Sequence, residues 1–278
     1  MKIKWVLQDN AFNEIDRLHK LTYILQEEGC EVKICKYIPF GGTDYNFWGD
    51  NSPSILHGSI EFLRNSTKDH IVWMDEEILK CSYYYTKIGK FLLQEYYGFY
   101  PLGELKRLEE VLFTLFSEPG DTPMMGRLLF IRPDDNDKSF VGGVVSRKMF
   151  LPWLEEVTSC NSATKMVIVA PFKQMKLEWR VIMDGSEPIA ASLYRQKDNF
   201  VTEEGCPVCV KNFAKEVGEV WAPHPVWVLD IGQEYNDRLS VVELGGVNCA
   251  GWYKADPYPI IRAINKHART FYQTRKSQ

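Results

Sequence analysis

Four segments in the C-terminal half of the chain put unlike charges on stretches that read as strands or strand ends. They are FIRPDDNDKSFVGG (130–143), LEWRVIMDG (177–185), VWVLDIG (226–232) and RLSVVELGG (238–246). Charged side chains are seldom buried in strands without a partner, because an unpaired buried charge is expensive. An Arg, a Lys, a Glu-x-Arg, an Asp and a Glu on successive strands therefore point to convergence on one site. A polyanion held by cations, with a metal bridging it to carboxylates, satisfies all of them, and a nucleoside triphosphate is the first candidate.

The rest of the composition narrows the class. With 278 residues, 45% hydrophobic and 13% aromatic, the chain can bury one large core or two modest ones. A net charge of −4 and a pI near 5.8 give no global basic bias, so nucleic acid is not favoured as a partner. Seven cysteines read as scattered reduced thiols rather than a disulfide framework. No segment approaches the roughly 20 apolar residues of a membrane span, and MKIKWVLQDNAFNEIDRL (1–18) lacks a signal-peptide pattern. The expected location is the cytoplasm, with no membrane partner.

The chain opens with alternation over 3–7, then Phe12, Ile15, Leu18, Leu21, Thr22 and Leu25 at helical spacing up to Gly29. A strand over 31–38 completes a βαβ unit, which predicts a parallel sheet. Short strands are expected over 53–59 and 70–74. The aromatic run over 83–100 reads as packing, in preference to a stacking surface for single-stranded nucleic acid. A helix follows over 101–116, and the SEPGDTP stretch (117–123) is the strongest punctuation in the sequence. We place a domain boundary there, giving domains over 1–120 and 121–278. The second half reads as α+β behind a doubly wound α/β first domain, with strands over 127–132, 142–146, 166–170, 179–183, 188–194, 226–231 and 240–244. Its expected helices cover 150–157, 208–220 and 257–272.

Arg132 is held extended by Pro133, Lys138 lies in the polar loop DDNDK, and Gly142-Gly143 lets backbone approach a ligand. A fixed guanidinium and a loop ammonium suit phosphate oxygens; an Arg paired to a loop Asp beside a solvated Lys is the alternative. Glu178 and Arg180 are two apart on a strand and share a face. They either pair locally or hold a cation toward phosphate. Asp230 and Glu243 end or lie within apolar strands joined by a loop, so an antiparallel pair would bring two carboxylates together, a donor set for magnesium; either acid alone would serve as a turn cap.

In order and spacing, FIRPDDNDKSFVGG, VAPFKQMKLEWRVIMDGSEPIAASLYR (169–195), VLDIG (228–232) and VVELGGVNCAGWY (241–253) resemble the ATP-grasp superfamily, in the branch marked by two arginines and a lysine. The resemblance spans roughly 126–258. It implies an ATP-grasp fold with an N-terminal Rossmann-like domain. It also implies ATP and Mg2+ as cofactors, with Arg132 and Lys138 on the triphosphate. Backbone of 169–172, through Val169, Ala170 and Phe172, would face adenine. Arg180 would face the terminal phosphates with Glu178 beside it, and Arg195 the acceptor side. Asp230 and Glu243 would bind magnesium. The family's usual Glu-x-Asn is replaced here by Glu243-Leu244-Gly245, and Asn248 is the candidate for the missing amide.

The activity so implied is an ADP-forming carboxylate–amine ligase, with Arg132, Lys138 and Arg180 as its catalytic cations. The acceptor is a small molecule, a peptide or a protein, and the 83–100 segment with the Gly58-Ser59 strand end is its expected pocket. An ATP-binding regulatory protein without turnover and a kinase-like phosphoryl transfer are the alternatives. Arg180→Ala or Glu243→Ala is expected to remove turnover and leave the fold intact. The single CxxC, Cys206 to Cys209, lacks a second pair for zinc and lacks a preceding strand for a redox motif. The histidines form no motif, and Trp221, Trp227 and Trp252 read as packing.

Overall fold

The computed structural model describes residues 2–11, 15–38, 54–65, 70–71, 76–116, 128–136, 139–197 and 199–276. Three sheets account for its strands. The first contains β1 (Lys4–Gln8), β2 (Glu31–Cys35), β3 (Ser54–His57) and β4 (His70–Ile71) in the order β2-β1-β3-β4, parallel throughout. Helix α1 (Ile15–Glu27) joins β1 to β2 as the apolar period predicted, burying Leu18, Leu21, Ile24 and Leu25. Its end is set by Gly29 at φ 76°. The Gly29 N–H donates to Gln26 O at 3.0 Å and the Cys30 N–H to Leu25 O at 2.9 Å, a Schellman closure that only a residue tolerant of positive φ makes cheaply. The strand after Gly29 is shorter than the apolar pattern over 31–38 implied, and α2 (Ile60–Arg64) follows β3, capped by Ser59 Oγ on the Phe62 N–H.

The second sheet, β5 (Gly98–Pro101), β6 (Leu128–Pro133), β7 (Gly143–Ser146) and β8 (Met166–Pro171), runs β5-β8-β6-β7 and is antiparallel at every contact. Helices α3 (Cys81–Ile88), α4 (Leu105–Leu115) and α5 (Arg147–Cys160) accompany it. Its core gathers Leu105, Leu112 and Phe113 with Phe150, Leu154 and the inward residues Leu129, Ile131, Val167 and Val169. Full burial of each such side chain contributes about 1.5–3 kcal/mol. The aromatic run does pack: Tyr85 meets Tyr97 edge-on at 4.8 Å, and Tyr97 meets Phe99 at 5.5 Å.

The third sheet has β9 (Met175–Asp184), β10 (Glu187–Gln196), β11 (Asn199–Glu204), β12 (Val226–Glu234) and β13 (Leu239–Gly246) in the order β11-β10-β9-β12-β13. Helix α6 (Val208–Val220) lies between β11 and β12, and α7 (Pro257–Lys276) closes the described chain. Strand β11 has no counterpart in the sequence reading. NFVTEE is an exposed edge strand with no apolar face, so period-2 patterning does not mark it.

The chain divides into two compact units, one made of Met1–Asp75, Glu178–Ile231 and Glu243–Gln278, the other of Glu76–Leu177 and Gly232–Val242. Both are assembled from separated stretches, whereas a cut at residue 120 follows chain order. The punctuation at 117–123 lies outside the described residues. In the first unit α7 packs its Ile260, Ile261, Ile264 and Ala268 into one core with α1, β1 and Ile182, Val226 and Val228. Trp5 Nε1 donates to Asn265 Oδ1 at 3.0 Å inside that core, satisfying the indole N–H that burial would otherwise leave costly.

Candidate functional site

In the unit containing Glu76–Leu177, Arg132 sits one residue before the end of β6, opposite Ile168 of β8. Gly142 lies against it: a Cβ at 142 would fall 2.8 Å from Arg132 Cβ, so any larger residue would displace the arginine. The loop after Arg132 is tied down by Asp134. Its Oδ1 accepts from the Ser82 N–H and its Oδ2 from Ser82 Oγ, each at 2.7 Å. Its own N–H donates to Met166 O at 3.0 Å. Asp135 meets Lys165 at 3.0 Å. Lys138 lies outside the described residues. Val169 and Ala170 are fully buried on β8. The pairing with β5 ends at Gly98 opposite Val169, and the Phe172 N–H donates to Leu128 O at 3.1 Å.

In the other unit the charges of β9, β10 and β12 do gather. Arg180 Nε donates to Asp230 Oδ1 at 2.9 Å and its Nη2 to Asp230 Oδ2 at 2.7 Å, the bidentate geometry of a strong pair. Its Nη1 donates to Gly251 O at 3.0 Å. The guanidinium also lies over two rings, Tyr253 at 4.9 Å and Tyr194 at 5.5 Å, which are themselves stacked 5.3 Å apart with planes 16° from parallel. The Tyr194 hydroxyl donates to Glu178 Oε2 at 2.6 Å, and Arg195 Nη1 donates to Glu178 Oε1 at 2.9 Å. Glu178 and Asp230 are both buried. The strand period had put Glu178 and Arg180 on one face; their bonds then run to different partners, Glu178 to Tyr194 and Arg195, Arg180 to Asp230.

Electrostatics follow from this packing. Burial pushes the Asp230 carboxyl above the usual carboxylate range; Arg180 pulls the other way, while Glu243 and Glu178 add to the push. Burial opposes the Arg180 charge, but the attraction and hydrogen bonds of Asp230 outweigh it and hold the guanidinium protonated. Burial raises the Tyr194 hydroxyl well above its ordinary value, helped by Asp230 and Glu178, so it remains a donor. Tyr194, Gly251 and Tyr253 complete the cluster although the sequence reading gave them no role. Tyr253 sits at φ 51°, an uncommon backbone state for a non-glycine residue that sequence does not announce.

Asp230 and Glu243 present hard oxygen donors close enough to feel each other's charge. That suits magnesium, which commonly takes one or two carboxylates and completes its shell from water and phosphate. Asn248 is 2% exposed; its side-chain Nδ2 donates to Leu56 O and its backbone carbonyl accepts from the Gly58 N–H. Among the described residues no group of three or more His, Cys, Asp or Glu gathers as a metal site. No described helix is long and apolar enough to cross a membrane.

The family profile described as "ATP-grasp domain, R2K clade family 3" matches residues 73–264, more than half of the chain. No curated protein sequence matches significantly. Among solved structures, D-cycloserine synthetase DcsG superposes with a TM-score of 0.65 at 13% identity, over 95% of this chain and 99% of that one. D-alanine–D-alanine ligase from Bacillus anthracis gives 0.60 at 11%, over 100% and 99%. The ATP-grasp ligase PsnB, complexed with precursor peptide PsnA2 and AMPPNP, gives 0.54 at 10%, over 96% and 98%. At these identities the likeness establishes the fold, which is ATP-grasp with mixed α/β content.

Proposed function

Because the chain belongs to the ATP-grasp domain family, in R2K clade family 3, whose members are ATP-dependent ligases, we propose that it is an ADP-forming carboxylate–amine ligase. The observation that carries this reading is the buried Arg180–Asp230 pair with its aromatic flanks. A strand-borne cation held against a carboxylate at the core of a unit is costly for stability alone, and is accounted for when both groups serve a triphosphate. The carboxylate substrate attacks the γ-phosphorus of ATP, ADP leaves, and the amine displaces phosphate from the resulting acylphosphate. Catalysis is then positioning and charge neutralisation, and no protein nucleophile is needed.

In this reading Arg132, Lys138 and Arg180 neutralise phosphate charge, and Arg195 serves the acceptor side. Glu178 positions Arg195 and Tyr194. Backbone of 169–172, through Val169, Ala170 and Phe172, faces adenine. Asp230 and Glu243 hold magnesium, which supplies Lewis-acid polarisation of the phosphates when bound. The parallel β2-β1-β3-β4 sheet is read as a Rossmann-like lobe, within a domain division over 1–120 and 121–278. The fold neighbours include an amino-acid ligase and peptide ligases, which supports searching amino-acid and peptide carboxylates first. Cytoplasmic location accords with reduced thiols.

A second reading, ATP binding without turnover, draws support from Glu243-Leu244-Gly245, which stands where the family carries Glu-x-Asn. Incubation with magnesium, ATP and a pool of amino acids, short peptides and amines separates them. ADP and phosphate formed together with a product one water lighter than its two substrates supports the ligase. AMP formation, or a phosphorylated hydroxyl product, overturns it, and ATP binding without any consumption across the pool favours the second reading.

A further inference from the structure

The CxxC motif, set aside in the sequence for want of a preceding strand, has one. Strand β11 ends at Glu204; Gly205, at φ 84°, turns the chain and donates its N–H to Ala191 O of β10 at 2.8 Å. Cys206 comes next, half-buried, then Pro207 as the N-cap of α6, then Val208 and an exposed Cys209 in the first helical turn. The order is strand, Cys-Pro-Val-Cys, helix. Two cysteines three apart across a helix start are separated by a single turn of chain, a reach compatible with disulfide geometry. The first turn of that helix carries the exposed Cys209, open to a disulfide arriving from solvent.

The frame around them is fixed. The inner face of α6 buries Val210, Ala214, Val217 and Gly218, and at Gly218 a Cβ would fall 2.7 Å from Ser186 Cα, so the helix is seated close on the β9–β10 turn. Burial raises the Cys206 thiol above its ordinary value, with Lys211 pulling it down and Cys209 adding to the rise, so the exposed Cys209 is the thiol placed to attack first and Cys206 the one that resolves. Among the described residues no third ligand joins the two sulfurs in a metal-binding group. A pair of thiols without a third ligand is suited to redox closure rather than to structural zinc.

We propose that Cys206 and Cys209 form a reversible intramolecular disulfide, a thiol switch at the start of α6. With a low-molecular-weight disulfide as oxidant, the Cys209 thiolate attacks one of its sulfurs and expels a thiolate. Cys206 then attacks Cys209 in the mixed disulfide and expels the second thiolate. The protein loses two hydrogens and two electrons, and the oxidant becomes two thiols. The Gly205–Ala191 bond ties this corner to β10, the strand that carries Tyr194 and Arg195, so the switch shares an element with the charged cluster. The inference concerns thiol chemistry and stands whether or not the ligase reading does.

The test is equilibration of the whole protein in oxidised and reduced glutathione, followed by acid quench, alkylation and peptide mass analysis. The expected result is a peptide containing 206–209 that loses two hydrogens and resists alkylation, while exposed Cys160 carries glutathione instead. Cys206→Ser should convert Cys209 to a persistent glutathione adduct. The inference is overturned if both thiols alkylate fully at a poise where Cys160 is modified. It is equally overturned if protection appears without the mass change and vanishes with a zinc chelator.

Discussion

Arg180→Ala leaves Asp230 buried without its counter-charge, and the consequence is calculable in sign and size. The two side chains are 15% and 5% exposed, and removing one partner of such a pair costs about 3–5 kcal/mol. At about 2–4 °C per kcal/mol for a domain of 150–250 residues, melting should fall by at least about 6 °C. Without Arg180 nothing offsets the burial that already raises the Asp230 carboxyl. The native state then binds a proton more tightly than the unfolded chain does. Its stability must rise as pH falls through the native pKa and decline as pH rises, because the native state holds the extra proton. Thermal melts of the wild type and variant from pH 5 to pH 8 test this. The variant should lose more stability at the alkaline end, and Arg180→Met with Asp230→Leu should restore much of it. A single variant that melts with the wild type across this range would refute the argument.

Three further outcomes follow from named contacts. Tyr194→Phe removes the hydroxyl that donates to Glu178 Oε2, and should cost about 1–3 kcal/mol in urea unfolding, since a buried carboxyl oxygen loses its partner. His57, whose imidazole burial pushes from 6.5 down to about 4 against a bond to Asn248 backbone, contributes stability that is fully present above pH 6.5 and lost as pH falls toward 4. At 1.36 kcal/mol per pKa unit the loss is about 3 kcal/mol, and His57→Asn should flatten that acid limb in pH-dependent unfolding. Gly142→Ala sets a Cβ 2.8 Å from Arg132 Cβ, which must shift, and should raise KM for ATP several-fold together with a lowered melting temperature.

What the sequence disclosed depended on whether a local pattern carried it. Helix α6 is found at 208–220 as its apolar spacing predicts, and the apolar cores of β6, β8 and β12 announce themselves. Strand β11 does not, because NFVTEE is an exposed edge, and that omission hid the strand ahead of the CxxC. The convergence of charges was legible as a requirement, since buried Glu178, Arg180 and Asp230 need partners. Who pairs with whom was not, because Arg180 and Asp230 are 50 residues apart and sheet order, rather than spacing, sets them side by side. Alternation along β9 tied Glu178 to Arg180, whereas Tyr194 and Arg195 on the neighbouring strand hold it. The expectation that Arg180→Ala spares the fold also came from reading the arginine alone; its bidentate partner adds a stability cost. Asn248 is buried with its Nδ2 on Leu56 O, a tertiary placement that spacing along the chain does not announce.

The central claim is activation of a carboxylate by phosphoryl transfer, and the fate of carboxylate oxygen tests it most directly. With substrates labelled in the carboxylate by heavy oxygen, magnesium and ATP, the phosphate released should carry one labelled oxygen per amide formed, with ADP as the nucleotide. Unlabelled phosphate, or label found in AMP, would contradict the account.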